Sequence, residues 1–151
     1  MANTGIPYET FVQEVYTALQ LTKNLPNVSN VNIEHNRQIT DNCGIDRQFD
    51  LYWERSEFGE TKRSVIECKD YQHGVSIYRV DALIGKMADI LGIVPIMATS
   101  HKYQSGALQK AKSHNVELLV VREEDLDKDW KAPDGTPFIR TIIGRIVALQ
   151  P

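Results

Sequence analysis

The sequence contains few cysteines and has no long apolar segment. Cys43 and Cys68 are the only cysteines among 151 residues, too few for a disulfide framework. The first ten residues have neither a basic start nor an apolar run, and no stretch approaches the roughly 18 apolar residues of a membrane span. We therefore expect a cytoplasmic protein in a reducing compartment, with no membrane partner.

The chain also lacks an excess of positive charge. Its net charge is −3, whereas nucleic-acid-binding domains are usually basic. However, residues 61–115 hold eight Lys and Arg against four Asp and Glu. Such a segment can bind a phosphate backbone, but charge alone favours ordinary surface patchiness. The four histidines show no zinc-ligand spacing, and we expect no organic cofactor.

The composition, 42% hydrophobic and 25% charged, is typical of a single globular domain, here taken as 1–151. Apolar spacing predicts helices over 8–23, 76–91 and 106–114, with Ser105 as the N-cap of the last. Strand patterns cover 28–36, 47–54, 63–70, 93–99 and 116–121. Residues 122–130 are predicted to form a short acidic helix, and 138–149 are strand-like.

The order of these elements predicts an α/β fold. The strands at 47–54 and 63–70 are joined by a short charged loop and should be antiparallel, whereas the strand–helix–strand units that follow require parallel pairing. The expected architecture is a mixed central β-sheet flanked by helices on both faces.

Acidic residues interrupt two of the apolar strands. Asp50 lies within the first strand of the predicted hairpin, Glu67 within the second, and Lys69 follows two positions later. Side chains alternate between the two faces of a strand. Alternation therefore predicts one core face made of Phe49, Leu51, Trp53, Ile66 and Cys68. On the opposite face Asp50, Glu67 and Lys69 would converge.

Two adjacent carboxylates repel each other unless a cation lies between them. Oxygen ligands with open positions suit Mg²⁺, which takes one or two carboxylates and keeps several waters. A lysine beside such a metal can position the attacking water for phosphodiester hydrolysis. From spacing alone, a surface ion pair on a solvated sheet face is an equally good interpretation.

The pattern (D/E)-x-K occurs three times, so context has to select among the copies. Glu60–Lys62 falls in the predicted hairpin loop, and Asp129–Lys131 falls in an acidic stretch without a strand pattern. Only Glu67–Lys69 lies inside an apolar strand preceded by a strand with an isolated Asp. This copy is therefore the candidate.

The stretches RQFDLYW, VIECKDY and VSIYRVDALIGKMADI resemble the PD-(D/E)XK nuclease superfamily, and are closest to its restriction-endonuclease-like domains of the Mrr type. The resemblance covers about residues 8–121 and leaves 122–151 as a C-terminal extension. The proline of the family's name is absent, because Phe49 precedes Asp50.

This resemblance implies a restriction-endonuclease-like core and Mg²⁺-dependent endonuclease activity on DNA, with Mn²⁺ as a substitute. It implies that Asp50 and Glu67 hold the metal, that the carbonyl of Cys68 adds a ligand, and that Lys69 acts on the attacking water. It also places an acidic residue of the first helix near the metal, here Glu9, although a solvated Glu9 explains the sequence equally well.

Further polar residues are candidates for DNA contact. They are Gln48, His73, Arg79, Ser100, His101, Lys102 and Ser105. Plain turns, helix caps and solvated helix faces are the alternatives, and Lys86 is expected to point outward. A DNA- or partner-binding module without turnover and a junction-resolvase-like nuclease remain alternative functions. A homodimer is a possible assembly because cutting two strands needs two sites, but no sequence feature requires it.

Overall fold

The computed structural model describes residues 8–21, 24–70, 73–123, 138–142 and 145–149. Within these ranges the chain forms three helices and seven strands. In chain order they are α1 (Tyr8–Leu21), β1 (Val28–Thr40), β2 (Asp46–Glu57), β3 (Glu60–Cys68), α2 (Ile77–Met87), β4 (Val94–Thr99), α3 (Ser105–Ser113), β5 (Glu117–Glu123), β6 (Phe138–Ile142) and β7 (Arg145–Leu149). No helix in the described part of the chain is long and apolar enough to cross a membrane.

The strands form one sheet in which neighbours in sequence are neighbours in space. Strands β1, β2 and β3 pair antiparallel, β3 to β6 pair parallel, and β7 pairs antiparallel with β6. The parallel pairs β3–β4 and β4–β5 are each connected through a helix, as strand–helix–strand units require. The predicted mixed sheet is therefore confirmed.

The β2–β3 hairpin is longer than the sequence pattern predicted. Its strands are joined by only Phe58 and Gly59, whose φ angles of 52° and 82° are both positive. Tight hairpin turns require this conformation, and glycine adopts it without steric cost. The prediction that Glu60–Lys62 lies in a loop is wrong, because these residues begin β3 and pair with β2.

Apolar residues pack on both faces of the sheet. On one face α1 covers a cluster that includes Leu51, Trp53, Ile66 and Cys68. On the other, α2 and α3 cover a second cluster that includes Val65, Val80, Leu83, Met97 and Ala107. The predicted helices on both faces are thus confirmed, and Cys68 is a fully buried apolar residue.

Phe49 does not share the core face of Leu51. It packs with Tyr52 and Val65 in the cluster under α2 and α3. Alternation holds only while the strand ladder is regular, and the pairing of β2 with β3 ends at Leu51 and Ile66. In the pairing with β1 the position opposite Asp50 is also interrupted, because Asn36 has a positive φ of 50° and makes no ladder pair there.

Two further predictions need correction. The N-cap of α3 is Gln104, with an extended backbone (φ −72°, ψ 157°) and no capping side-chain bond, and Ser105 is the first helical residue. Arg122 and Glu123 belong to β5 and not to an acidic helix. The remainder of that predicted helix, 124–130, lies outside the described residues, whereas the strand-like stretch 138–149 contains β6 and β7.

Candidate active site

The site lies where β2 and β3 separate. The Cys68 N–H donates to Oδ2 of Asp50 at 2.8 Å, and the Asp50 N–H donates to Oε2 of Glu67 at 3.4 Å. Each carboxylate therefore accepts from a backbone amide of the opposite strand, where a regular ladder would use carbonyl oxygens. This reciprocal bonding holds the two carboxylates beside each other.

The backbone around Lys69 is fixed from the other side by β4. Cys68 pairs with Ala98, and the Lys69 N–H donates to the Ala98 carbonyl at 2.8 Å. The Lys69 ammonium lies 3.9 Å from Oε1 of Glu67. The structure thus brings Asp50, Glu67 and Lys69 together at one end of the hairpin.

Glu67 is a largely buried carboxylate with a second acid, Asp50, close enough to affect its pKa. Burial and the charge of Asp50 raise the pKa of Glu67 above its ordinary value of 4.5, and nearby lysines oppose this rise. Partial burial and the neighbouring Asp50 carboxylate raise the pKa of Tyr8 in α1. The Tyr8 hydroxyl therefore lies on the α1 side of Asp50.

Lys86 was missed by the sequence reasoning, which placed it on the outer side of α2. Its ammonium lies 3.2 Å from Oε2 of Glu67, also donates to the carbonyl of Gln48, and lies 4.4 Å from the centre of the Phe49 ring. Lys86 follows buried Leu83 by three positions, so helical spacing puts it at the border of the buried face. That spacing was the signal available in the sequence.

The site offers carboxylate oxygens as potential metal ligands. Among the residues whose side chains are described, no group of three or more His, Cys, Asp or Glu could hold a metal ion. The two carboxylates of Asp50 and Glu67 would suit Mg²⁺, which keeps several waters, better than zinc, which prefers nitrogen and sulfur ligands. The side chain of Glu9 lies outside the described part of the structure.

Most candidate DNA-contacting residues lie on two loops at the same end of the sheet. The Val75 N–H donates to the Lys102 carbonyl and the Gln104 N–H donates to the Val75 carbonyl, each at 2.9 Å. The loops that follow β3 and β4 therefore run side by side beyond the parallel strand ends. They carry His73, Ser100, His101 and Lys102, and lead into Arg79 and Ser105 in the first turns of α2 and α3.

The candidates differ in accessibility. His73, Lys102 and Ser105 are exposed, and so is Gln48 on β2. Ser100 is only 5% exposed and donates to Oδ1 of the equally buried Asp70. Ser100 therefore ties the loop after β4 to the end of β3, which leaves its hydroxyl less available to a phosphate.

The family model Mrr_cat, described as a restriction endonuclease, matches residues 9–126. The chain belongs to this restriction endonuclease family. The matched part of this Mrr-type domain includes Asp50, Glu67 and Lys69, and the family predicted from the sequence is confirmed. Membership also supports a nuclease-like domain. The match ends a few residues beyond the range of about 8–121 expected from the sequence.

Two solved structures are similar to the Mrr-type domain. A crystal structure described as the protein of unknown function AF1548 is 18% identical and covers 73% of this chain and 57% of its own, with a TM-score of 0.58. Protein VC1899 from Vibrio cholerae is 17% identical over 73% of this chain and 28% of its own, with a TM-score of 0.44. The first likeness supports the fold alone. No curated protein matches the chain.

The similarity covers only part of the length of each of these two proteins. It spans little more than half of AF1548 and less than a third of VC1899.

Proposed function

We propose that the domain is a Mg²⁺-dependent endonuclease that hydrolyses phosphodiester bonds of DNA, with Mn²⁺ as a working substitute. Asp50 and Glu67 hold the metal, the carbonyl of Cys68 adds a ligand, and Lys69 acts on the attacking water. The observation that supports this most strongly is the reciprocal bonding of the two carboxylates to the opposite strands, which keeps them adjacent despite their repulsion.

The chain's own residues prepare the site for this chemistry. Because Oδ2 of Asp50 accepts from the buried Cys68 amide, the carboxylate is held in one orientation before any ligand binds. The Lys69 side chain is 24% exposed and lies beside Glu67, so its ammonium can hold a water that enters from solvent. A bound Mg²⁺ would polarise a phosphoryl oxygen and stabilise the leaving group.

DNA is the substrate that the family and the site both favour. The side-by-side loops after β3 and β4 place exposed His73 and Lys102 at the end of the sheet that carries Glu67 and Lys69. Ligands of α/β sheets commonly bind beyond the carboxyl ends of parallel strands. A phosphate backbone that approached this edge would meet these polar groups before it reached the carboxylates.

A nicking assay with a built-in control tests the proposal. Purified protein is incubated with supercoiled DNA and Mg²⁺ or Mn²⁺, and Lys69→Ala is compared with Lys62→Ala. Lys62 belongs to the other E-x-K copy of β3 and pairs with Glu57 at 3.5 Å near the hairpin turn. We expect a loss of about 100-fold or more for Lys69→Ala and near wild-type cleavage for Lys62→Ala.

Two results would overturn the proposal. One is the absence of metal-dependent cleavage of any DNA, and the other is unchanged cleavage in Lys69→Ala. Salt-dependent DNA affinity without cleavage would instead identify a binding module. Linear, branched and methylated substrates, compared side by side, separate a restriction-type enzyme from a junction resolvase.

A further inference from the structure

Of the two lysines near Glu67, Lys86 makes the shorter ion pair and contacts more groups of the hairpin. Its ammonium is bonded to Oε2 of Glu67 at 3.2 Å and to the Gln48 carbonyl, and lies 4.4 Å from the centre of the Phe49 ring. These partners come from both strands of the hairpin, whereas Lys86 comes from α2. The position of the ammonium is therefore determined by several contacts at once.

The two lysines near Glu67 hold different oxygens. Lys69 lies 3.9 Å from Oε1, whereas Lys86 lies 3.2 Å from Oε2. Oε2 is also the oxygen that accepts from the Asp50 N–H at 3.4 Å, so it is the one that faces the backbone of β2. Lys86 thus neutralises Glu67 at the oxygen that lies against the strand carrying Asp50.

Charge balance makes a divalent ion and the Lys86 ammonium competitors for Oε2 of Glu67. Glu67 is 9% exposed, and a buried carboxylate without a counter-charge is strongly unfavourable. A divalent ion at Oε2 would supply that counter-charge and would repel an ammonium bonded to the same oxygen. Metal binding at Oε2 would therefore weaken the ion pair between Lys86 and Glu67.

We propose that Lys86 is an internal counter-ion that occupies the cation position beside Glu67 until a divalent metal displaces it. This inference rests on the proposed metal-dependent function. Val80 and Leu83 anchor α2 in the core, so the released ammonium stays at the rim of the site. There it becomes available to an anionic phosphate, and metal binding and DNA binding are thereby coupled.

Calorimetric titration with Mn²⁺ in the absence of DNA tests the displacement. Lys86→Met removes the charge but keeps a long apolar stem that packs beside Phe49. Lys110→Met is the matched control, because Lys110 is also a helical lysine, paired with Asp81 at 3.6 Å outside the site. We expect the Mn²⁺ dissociation constant to fall at least fivefold in Lys86→Met and to stay unchanged in Lys110→Met.

Two additional variants guard against a merely structural effect. Lys86→Arg retains the positive charge and should return the dissociation constant toward the wild-type value. Without metal, Lys86→Met should unfold at a lower urea concentration than wild type, and the double variant with Glu67→Gln should recover part of this loss, because the buried carboxylate charge is then gone. Unchanged or weaker Mn²⁺ binding in Lys86→Met contradicts the inference.

The titrations also separate this inference from the proposed function. If wild type binds Mn²⁺, Glu67→Gln abolishes binding and Lys86→Met has no effect, the metal site stands and only the counter-ion role fails. If neither wild type nor Lys86→Met binds Mn²⁺, both fail. Binding that appears only in Lys86→Met supports the inference directly.

Discussion

Asp50 has a structural contact and, under the proposed function, a chemical role. Its carboxylate accepts the buried Cys68 N–H, and its charge acts on Glu67. The first task needs only an oxygen acceptor, whereas metal binding needs the negative charge. Substitutions that remove the charge but keep the acceptor can therefore separate the two tasks.

We expect Asp50→Asn to abolish cleavage while leaving stability close to wild type, because the amide oxygen can still accept from Cys68. Asp50→Ala should lose cleavage and also about 1–3 kcal/mol of stability, since a buried N–H is left without its acceptor. Urea unfolding and the nicking assay measure the two effects. Equal destabilisation by Asn and Ala would show that the charge, and not the acceptor, supports the fold.

At the scale of elements, the loop between β1 and β2 secures the strand that carries Asp50. The buried Asp41 carboxylate accepts from the N–H groups of Cys43 and Ile45, each at 2.9 Å, and from Nε of Arg47 at 3.2 Å. The Asn42 N–H donates to the Asp89 carbonyl just after α2. The loop thus connects the start of β2 with the far end of the helix that supplies Lys86.

The hydrogen bonds of Asp41 predict that the protein loses stability at acid pH. The Ile45 amide, Arg47 and the Cys43 amide lower the pKa of Asp41 below its ordinary 3.8. As the pH falls, the unfolded chain takes up this proton first, so the stability that ionised Asp41 contributes is present above pH 3.8 and is lost below it. Asp41→Asn should show a weaker fall in stability than wild type when urea unfolding is measured from pH 5 to pH 2.5. Parallel curves would contradict this assignment.

At the scale of the whole molecule, parallel pairing of β3 and β4 places candidate site residues at the same end of the sheet. Strands β3 and β4 run in the same direction, so Lys69 and the loop with Lys102 emerge at the same end of the sheet. Lys62 lies in β3 near the hairpin turn, at the opposite end of this strand. A chain of net charge −3 should therefore bind DNA through this edge and not over its whole surface.

Salt dependence of DNA binding tests this placement. If Lys102 contacts a phosphate, Lys102→Ala should weaken binding and reduce the slope of log K against log salt by about 1. Lys62→Ala should leave the slope unchanged, although it removes the same charge. Fluorescence anisotropy at several salt concentrations, without metal, gives both slopes, and equal effects of the two variants would point to a non-specific charge effect.

The sequence by itself determined the family, the fold class and the candidate triad. Alternating apolar and polar residues are a local property, so they predicted the strands that carry Asp50 and Glu67 and the burial of Cys68. Strand–helix–strand order likewise predicted the parallel pairs, because a crossover helix leaves no other pairing. The choice of Glu67–Lys69 among the three (D/E)-x-K copies also came from local context, but the loop assigned to Glu60–Lys62 was wrong, because these residues belong to β3.

Only the tertiary structure decided where alternation stops and which distant groups meet. Phe49 changes face because the β2–β3 ladder ends at Leu51 and Ile66, and a ladder's end depends on two strands at once. Lys86 reaches Glu67 because α2 passes beside the hairpin, a contact between residues 19 positions apart. Local periodicity carries no information about such long-range approach, which is why the counter-ion of the site was absent from the sequence-based prediction.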